Sequence, residues 1–523
     1  MPALAATAAL LILGGGALIL GVLQQGANQV FTEGLVAPTG PSPLSSVLDP
    51  TSPVANMVAA LSAPGLTKPG PAGSPRLGLA SSFRSGADGS RWSFTLPRDG
   101  RWSDGAPITT RDVGFTLAVM QAADFPDPSL AAPWLGITLE ANSFWSGTFI
   151  LPGPAPNFAT TAELPILPEA PYHDQPGRYL RQGLRPTGPF PPAAGPFDLA
   201  ANLPDQVVLV RNPNYQPRPR VSRFVIQLEP SAAAVAAQMA AGKVDGWLLA
   251  TSSELQDLPH GVVSDHMLTY SFVELLFNQS SSPLGDVAIR RAVAALVDRG
   301  KLIATAVPGM ARPQFGPLPD SISWAAGIIP RGRPAASVGQ LLASAGYRRT
   351  PPVGLYEADG RPLQLRLAVP DMEPLTAVAH ALAGQLGAAG ITVSVAQYPA
   401  GSFLSAQLSK GQFQMALVGF DNGPTLDISG LFGGGGVGGA NLGQGVADPI
   451  LTHALDQLAT ATSLPGRIAA YRVVVQELGT EVPAAFLYTP ELVYAHLSSA
   501  RTPGLPSVGD PAQLFTNVAE WTG

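Results

Sequence analysis

Cysteine is absent from the 523 residues of this sequence. Its absence excludes disulfide bonds, thiol nucleophiles and zinc sites built on thiolates. It also excludes an N-terminus tethered through a lipid on cysteine, because that attachment needs the residue as its acceptor. A chain without cysteine says little about the redox compartment in which it works.

Charge is scarce as well, since Asp, Glu, Lys and Arg together make up only 13% of the residues. The 30 Lys and Arg residues are scattered without a basic stripe, and the net charge is −6. We therefore expect no nucleic-acid partner, because phosphate backbones are bound by clustered cations.

Motifs for catalysis, metals and cofactors are missing too. The six histidines form no H-x-x-x-H or H-E-x-x-H pattern, so we expect no metal site. No G-x-S-x-G elbow occurs, and we expect a protein that is not an enzyme. The glycine run Gly433–Gly439 contains a formal G-x-G-x-x-G, but it leads to a flexible loop rather than a helix. We expect no cofactor.

One stretch, Ala3–Leu23, is apolar and long enough to span a membrane. It also overlaps the pattern of a generous secretory signal. We expect residues 1–27 to be a signal peptide or an uncleaved membrane anchor. The remainder would then be extracytoplasmic, either tethered through this segment or secreted or periplasmic.

The pattern of apolar residues indicates an α/β protein. Trp92, Phe94 and Leu96 alternate with polar residues, which is typical of a strand. Thr109 and Asp112 have the spacing of a helix cap. In the second half, three strand patterns and two helical patterns alternate as β-α-β-α-β, which implies a mostly parallel sheet covered by helices. These segments are Leu363–Val369, Pro374–Ala389, Ile391–Tyr398, Phe403–Leu408 and Phe413–Phe420.

Two further helical segments carry specific expectations. A long helix is predicted over Ala447–Leu478, with one break at Leu464-Pro465. A dense charge group lies on another predicted helix, and we expect it to form a solvated face with pairing between helices. Its members are Asp286, Arg290, Arg291, Asp298 and Arg299.

Seven segments in a fixed order resemble the extracytoplasmic solute-binding proteins of the peptide, dipeptide and nickel type, known as family 5, which are substrate receptors of ABC importers. The most extended match is Leu275–Ile303, "LLFNQSSSPLGDVAIRRAVAALVDRGKLI". Shorter matches are "TEGLV", "AGPFDL", "VLVRNPNYQ", "GKVDGWLL" and, completing the order, "QLGAAGITV" with "YTP". The signature around Arg101–Gln121 is carried by Phe94, Leu96, Arg98, Gly100, Trp102, Asp104, Gly105, Asp112, Val113 and Phe115.

The resemblance implies a two-lobe, type II periplasmic-binding-protein-like fold with mixed, mostly parallel sheets and flanking helices. Residues 28–272 would form lobe I, with an inserted subdomain at about 45–170. Residues 273–489 would form lobe II, and residues 490–523 would return to lobe I. The lobes would close on a ligand by a hinge motion.

Several residues are candidates for ligand binding. The family often places a Trp and an acidic residue after the strand that ends near Phe420, whereas this chain reads "GFDNGPTLD". Asp421, followed by Asn422, is the nearest candidate, and Asp427 is the second. Asp421 either accepts from a ligand amine or hydroxyl at a strand end or forms a turn.

Other candidates come from loops, strand ends and aromatic residues. Asn441 is a cleft-lining or a turn residue. Asn278 fixes the hinge backbone or meets a ligand. Four aromatic residues wall an apolar cleft or belong to the core: Phe272, Phe420, Tyr488 and Trp134.

The predicted function is a receptor that binds a peptide or similar small solute and delivers it to ABC permease subunits. We expect a monomer. The alternative is a surface protein with the receptor fold, a structural or sensory role and no transported ligand.

Overall fold

A computed structural model gives the fold of the chain. It describes residues 30–38, 40, 43–70, 75–183, 190–319, 322–325, 327–329, 336–350, 355–421, 426, 428–432, 448–461, 463–500 and 511–521. The predicted signal or anchor segment, residues 1–27, lies outside the described residues.

The described strands are numbered in chain order. They are β1 Val30–Val36, β2 Thr67–Lys68, β3 Arg76–Leu77, β4 Ser82–Ser85, β5 Arg91–Thr95, β6 Thr138–Ser143, β7 Ser146–Ile150, β8 Phe197–Asn202, β9 Gln206–Arg211, β10 Arg223–Glu229, β11 Gly246–Leu249, β12 Val262–Leu268, β13 Ser271–Phe277, β14 Ala311–Pro313, β15 Arg348–Thr350, β16 Leu355–Ala358, β17 Arg361–Pro362, β18 Gln364–Pro370, β19 Thr392–Tyr398, β20 Met415–Asp421 and β21 Ala484–Leu497.

The described α-helices are numbered in the same way. They are α1 Pro53–Ser62, α2 Thr110–Met120, α3 Pro128–Ala131, α4 Phe158–Thr161, α5 Pro176–Gln182, α6 Ala232–Ala240, α7 Ser252–Gln256, α8 Val287–Leu296, α9 Arg299–Ala306, α10 Val338–Ser344, α11 Leu375–Ala388, α12 Ala400–Phe403, α13 Ser429–Phe432, α14 Pro449–Thr460 and α15 Leu464–Glu481.

A 12-stranded sheet runs through the protein in the order β19-β18-β20-β13-β21-β11-β1-β10-β9-β8, with β12 and β14 also paired to β21. The sheet has two halves. Strands β8 to β12 with β1 form one half, and strands β13, β14, β18, β19 and β20 form the other. A separate 4-stranded sheet, β4-β5-β7-β6, belongs to the insertion between β1 and β8.

Strand β21 joins the two halves. Its first part, from Ala484 to Pro490, pairs with β13 and β14. Its second part, from Glu491 to Leu497, pairs with β11 and β12. One continuous strand therefore belongs to both halves of the molecule.

The predicted β-α-β-α-β unit is present, because β18 pairs in parallel with both β19 and β20. A second parallel group contains β1, β10 and β11. Hairpins and the strands that connect the halves add antiparallel pairs, and these outnumber the parallel ones among the described strands. The sheet is thus mixed, and the expected parallel order holds only within the two βαβ regions.

The helix that begins after Thr109 has the predicted cap. The Thr109 hydroxyl accepts a hydrogen bond from the backbone N–H of Arg111, and the Asp112 carboxylate accepts one from the backbone N–H of Thr109 at 2.8 Å. The other Asp112 oxygen accepts from the backbone N–H of Glu169 at 3.0 Å. Asp112, which completes the helix cap, therefore also holds Glu169, a residue 57 positions further along the chain in the insertion.

The long helix predicted near the C-terminus is two helices, α14 and α15. The break falls at the predicted place, because Ser463 caps the second helix and Pro465 lies in its first turn. Proline is tolerated there, since the first turn of a helix has no intrahelical acceptor for its missing N–H.

A close three-way contact lies inside the first half of the sheet. The Tyr494 hydroxyl on β21 donates to the Glu33 carboxyl on β1 at 2.6 Å. Gly246 on β11 leaves the room for this hydrogen bond, because a Cβ at that position would overlap the Tyr494 hydroxyl and lie 2.6 Å from Glu33 Oε2. Three strands are thereby packed around one glycine.

We predict that Gly246→Ala lowers the free energy of unfolding by about 1–3 kcal/mol, the usual cost of overpacking a filled core. Gly384→Ala is the matched control. Gly384 lies in α11, and a Cβ added there has no atom within 4 Å beyond its chain neighbours and the backbone of its own helix. The control should stabilise the protein by about 0.5–1 kcal/mol. Urea unfolding of the three proteins measures both effects, and equal stabilities would contradict the packing described.

Candidate functional site

The two halves of the sheet meet where β12 continues into β13 and where β21 passes Pro490. The Thr269 hydroxyl donates to the Pro490 carbonyl at 2.9 Å. On the next residue, the backbone N–H of Glu491 donates to the Met310 carbonyl at 2.8 Å. The crossing segments are therefore hydrogen-bonded to each other and to the loop before β14.

Polar side chains frame this crossing. The buried Glu491 carboxylate accepts from Arg312 Nε at 2.5 Å and lies 3.3 Å from His266 Nδ1. The side chain of Arg312 is 59% exposed, whereas that of Glu491 is only 6% exposed. Two residues before Glu491 on β21, the Thr489 hydroxyl donates to the side-chain oxygen of the buried Gln314 at 3.0 Å. Glu491 on β21 thus contacts Arg312 on β14 and His266 on β12, so its carboxylate links three strands at the junction.

Two of the predicted aromatic residues come together beside the crossing. The rings of Phe272 and Phe420 have their centroids 5.7 Å apart, and Phe486 packs against Phe272 at 5.2 Å. Phe272 is fully buried, whereas Phe420 is half-buried. Phe420 is therefore the member of this group that reaches toward solvent.

Asp421 is the last residue of β20, is exposed, and pairs with Ser271 at the start of β13. Successive side chains of a strand point to opposite faces, so Asp421 and Phe420 do not share one face of the sheet. Both residues were candidates for ligand binding, and the structure places their side chains on opposite faces of the sheet. Asn422, Asp427, Asn441 and the Gly433–Gly439 run lie outside the described residues.

Asn278 lies at the far end of β13, about 20 Å along the strand from Phe272. It is buried, and its amide donates to the carbonyls of Gly411 at 3.0 Å and Phe413 at 2.9 Å. Its side-chain oxygen accepts from the backbone N–H of Ser280 at 3.0 Å. The side chain thus holds the turn after β13 against the segment that leads into β20.

Tyr488 and Trp134 are core residues in two different places. Tyr488 is 2% exposed on β21, and burial raises the pKa of its hydroxyl. Trp134 is 4% exposed within the insertion, where it packs edge-on against Phe149 and Phe158. Neither residue lies in the group formed by Phe272, Phe420 and Phe486.

Two buried acidic residues on central strands were not among the candidates predicted from the sequence. Glu33 on β1 is fully buried, and this burial is the main reason that its pKa is raised to about 8, with the nearby Asp245 carboxylate adding to the rise. Glu274 on β13 is also fully buried, and burial raises its pKa well above the usual value. The one available signal was an acidic letter inside an apolar strand, as in "SFVELLF".

Neither a membrane-spanning helix nor a metal cluster occurs in the described part of the chain. Within that part, no helix is long and apolar enough to cross a bilayer. The same residues contain no group of three or more His, Asp or Glu side chains arranged to hold a metal ion.

Comparison with known proteins identifies the family. The sequence matches bacterial extracellular solute-binding proteins, family 5 Middle, over residues 74–437. The chain belongs to this family. It is also similar to Protein XP55 of Streptomyces lividans, with 28% identity over 411 residues that cover 76% of this chain and 73% of that protein.

Solved structures agree with the fold of this family-5 protein. HbpA2 from Haemophilus parasuis has a TM-score of 0.77 at 17% identity, covering 92% of this chain and 98% of that chain. The oligopeptide-binding protein AppA from Bacillus subtilis, in complex with a nonapeptide, has a TM-score of 0.66 at 18% identity and covers 95% and 99%. The expected two-lobe type II periplasmic-binding fold is confirmed.

A cavity of about 370 Å³ lies elsewhere in this family-5 protein. Residues between Leu44 and Leu199 line it, with Trp102, Tyr172 and Tyr179 among its walls. All its walls lie between β1 and β8 or on β8 itself, so they belong to the first half of the sheet and its insertion. The crossing is the better candidate for a site that depends on both lobes, because ligands of α/β sheets bind at the carboxyl ends of strands.

We predict that Arg312→Ala lowers the free energy of unfolding by about 1–3 kcal/mol, because a buried carboxylate then loses its main hydrogen-bond donor. Arg91→Ala is the matched control. Arg91 pairs with Glu140, but their side chains are 52% and 59% exposed, and such pairs contribute under about 1 kcal/mol. Chemical denaturation compares the two variants. An equal loss in both would mean that Glu491 does not depend on Arg312.

We also predict that Glu33 makes the protein less stable as the pH rises. Its pKa is raised from 4.5 to about 8, so the stability that it contributes is complete below about pH 4.5 and is lost as the pH approaches 8. Glu33→Gln cannot ionise. At about 1.4 kcal/mol per pKa unit, the variant should gain several kcal/mol on the wild type between pH 4.5 and 8.

Thermal melts at several pH values measure this difference. Glu140→Gln, at an exposed position, is the control and should follow the wild type throughout. Parallel curves for wild type and Glu33→Gln would show that Glu33 is not protonated inside the fold.

Proposed function

We propose that this protein is the substrate-binding receptor of an ABC importer and that it is not an enzyme. It binds a peptide or similar small solute between its lobes and delivers it to permease subunits. The family match supports solute binding. The fold of AppA, which was solved with a nonapeptide, supports a peptide as the kind of ligand.

The observation that carries the proposal is the construction of the junction between lobes. Strand β21 pairs with lobe II through its first part and with lobe I through its second part. The β12–β13 segment crosses beside it at Thr269 and Tyr270. Such connecting segments absorb a hinge rotation while each lobe keeps its own core, and a ligand that contacts both lobes stabilises the closed form.

We place the ligand at the end of β20, next to this junction. The half-buried ring of Phe420 provides an aromatic wall there, and it packs against the buried ring of Phe272. Asp421 lies at the same strand end on the other face. Asn422, which follows Asp421 in the chain, and Asn441 remain part of the proposed site. The lobe boundaries predicted at residues 272/273 and 489/490 lie within three residues of this crossing, and we propose them at Thr269–Tyr270 and at Pro490. The proposed protein is a monomer.

The proposed location is outside the cytoplasm, which agrees with an extracellular family. We propose that residues 1–27 either tether the protein to the membrane or are removed on secretion. Fractionation followed by N-terminal sequencing distinguishes these forms. A soluble mature chain that starts near residue 28 would contradict the tether.

The test of function is ligand screening with a measurement of closure. Thermal melts against pools of di- to nonapeptides and against oligosaccharides should reveal at least one stabilising solute. Small-angle scattering should then show a smaller radius of gyration in the bound state. A folded protein that no solute class stabilises would contradict the receptor function and favour the alternative of a structural or sensory surface protein.

A further inference from the structure

Glu274 is the most unusual side chain of lobe II. It lies in the middle of β13, opposite Val418 on β20 and Phe486 on β21. Its exposed fraction is 0%. Both carboxyl oxygens are buried without a hydrogen-bond partner, and no other carboxyl among the described residues has both oxygens in that state.

Two other buried carboxyl groups of the large sheet, those of Glu33 and Glu491, are compensated. Glu33 is equally buried, but it accepts a hydrogen bond from the Tyr494 hydroxyl at 2.6 Å. Glu491 is held by Arg312 and His266. An uncompensated acidic group in an apolar interior is strongly destabilising. A side chain with this energetic penalty in the free protein is a candidate for a contact that the bound ligand supplies.

The surroundings of Glu274 fit a cation. Alternate residues of β13 share one face of the sheet, so Phe272 and Leu276 lie on either side of Glu274. Phe486 lies across the strand pair on the same face, and the ring of Phe272 packs against the ring of Phe420. Aromatic faces attract ammonium and guanidinium groups, and a carboxylate nearby adds an ion pair.

This position is also close to the junction between lobes. Glu274 is two residues, or about 7 Å, along β13 from Phe272. Val418 and Phe420, on the same face of β20, are only half-buried, so burial on this face decreases from Glu274 toward the end of β20. That end is where the ligand is placed under the proposed function.

We propose that Glu274 determines specificity by binding an ammonium or guanidinium group of the solute. The proposal rests on the proposed receptor function and names the class of its ligand: a peptide or similar molecule with a cationic group. Asp421, which the sequence singled out for such a role, is exposed on the opposite face. The ligand cation enters beside Phe420, the Glu274 carboxyl group releases its proton to water, and the resulting carboxylate pairs with the cation.

The test uses Glu274→Gln and Glu274→Leu in the full chain, with Glu33→Gln as the matched control for loss of a buried carboxyl in the other lobe. The probes are the tripeptides Ala-Lys-Ala, Ala-Arg-Ala, Ala-Ala-Ala and Ala-Glu-Ala, each with a free or an acetylated N-terminus. Isothermal titration gives the Kd for each pair. Circular dichroism and thermal melts check that the variants fold.

The neutral reference probe is acetylated Ala-Ala-Ala, which has no cationic group. We expect the wild type to bind Ala-Lys-Ala and Ala-Arg-Ala at least tenfold more tightly than this reference. Glu274→Gln should lose at least tenfold in affinity for the cationic probes only, and Glu33→Gln should keep the wild-type Kd. Glu274→Leu should melt at a higher temperature than the wild type while losing the same affinity. Comparison of free and acetylated N-termini tells which ammonium group is recognised.

Two results overturn the proposal in different ways. If solutes without a cation bind best, or if Glu274→Gln keeps its affinity for the cationic probes, Glu274 does not determine specificity, while the receptor function stands. If no probe and no solute of the wider screen binds the folded wild type, the receptor function fails, and the role of Glu274 fails with it.

Discussion

The pairing of β21 with both halves of the sheet is the constraint on which the rest of the structure depends. Ala484 to Pro490 pair with β13 and β14 in one half, and Glu491 to Leu497 pair with β11 and β12 in the other. Because backbone hydrogen bonds of a buried strand are costly to leave unmade, neither half can lose this strand. The closure proposed for this receptor would therefore be concentrated at the few residues around Thr269 and Pro490, where Glu491 pairs with Arg312 and His266.

Buried carboxyl groups are distributed over this framework in different ways. Glu33 lies in the interior of lobe I and is balanced by Tyr494, for which Gly246 leaves the space. Glu491 lies at the junction and is balanced by Arg312. Glu274 lies in lobe II and has no partner. In a protein whose apolar interior is otherwise consistent, such an exception is expected at a functional position rather than in a purely structural core.

Much of the fold could be predicted from local pattern. The cap formed by Thr109 and Asp112 depends on residues three apart, and the break before Pro465 depends on the missing proline N–H, so both are readable from the sequence. The charge group, which the structure divides between α8 and α9, shows the limit. Arg290 was expected on a solvated face but is 1% exposed and donates to the backbone carbonyls of Leu284 and Glu481. Its acceptors include residues 191 positions away in the chain, which no local pattern encodes.

The sequence by itself determined the family, the α/β class and the order of the elements, because periodicity and motif order are properties of neighbouring residues. Tertiary structure decided which candidate residues meet. In the folded protein Phe272 and Phe420 are in contact, and Asp421 lies on the other face of the sheet. Asn278 holds the turn after β13 through its side-chain hydrogen bonds. It also showed Glu274 without a partner. Those outcomes depend on strand register and burial, since a side chain's environment is supplied by residues that only the folded sheet brings beside it.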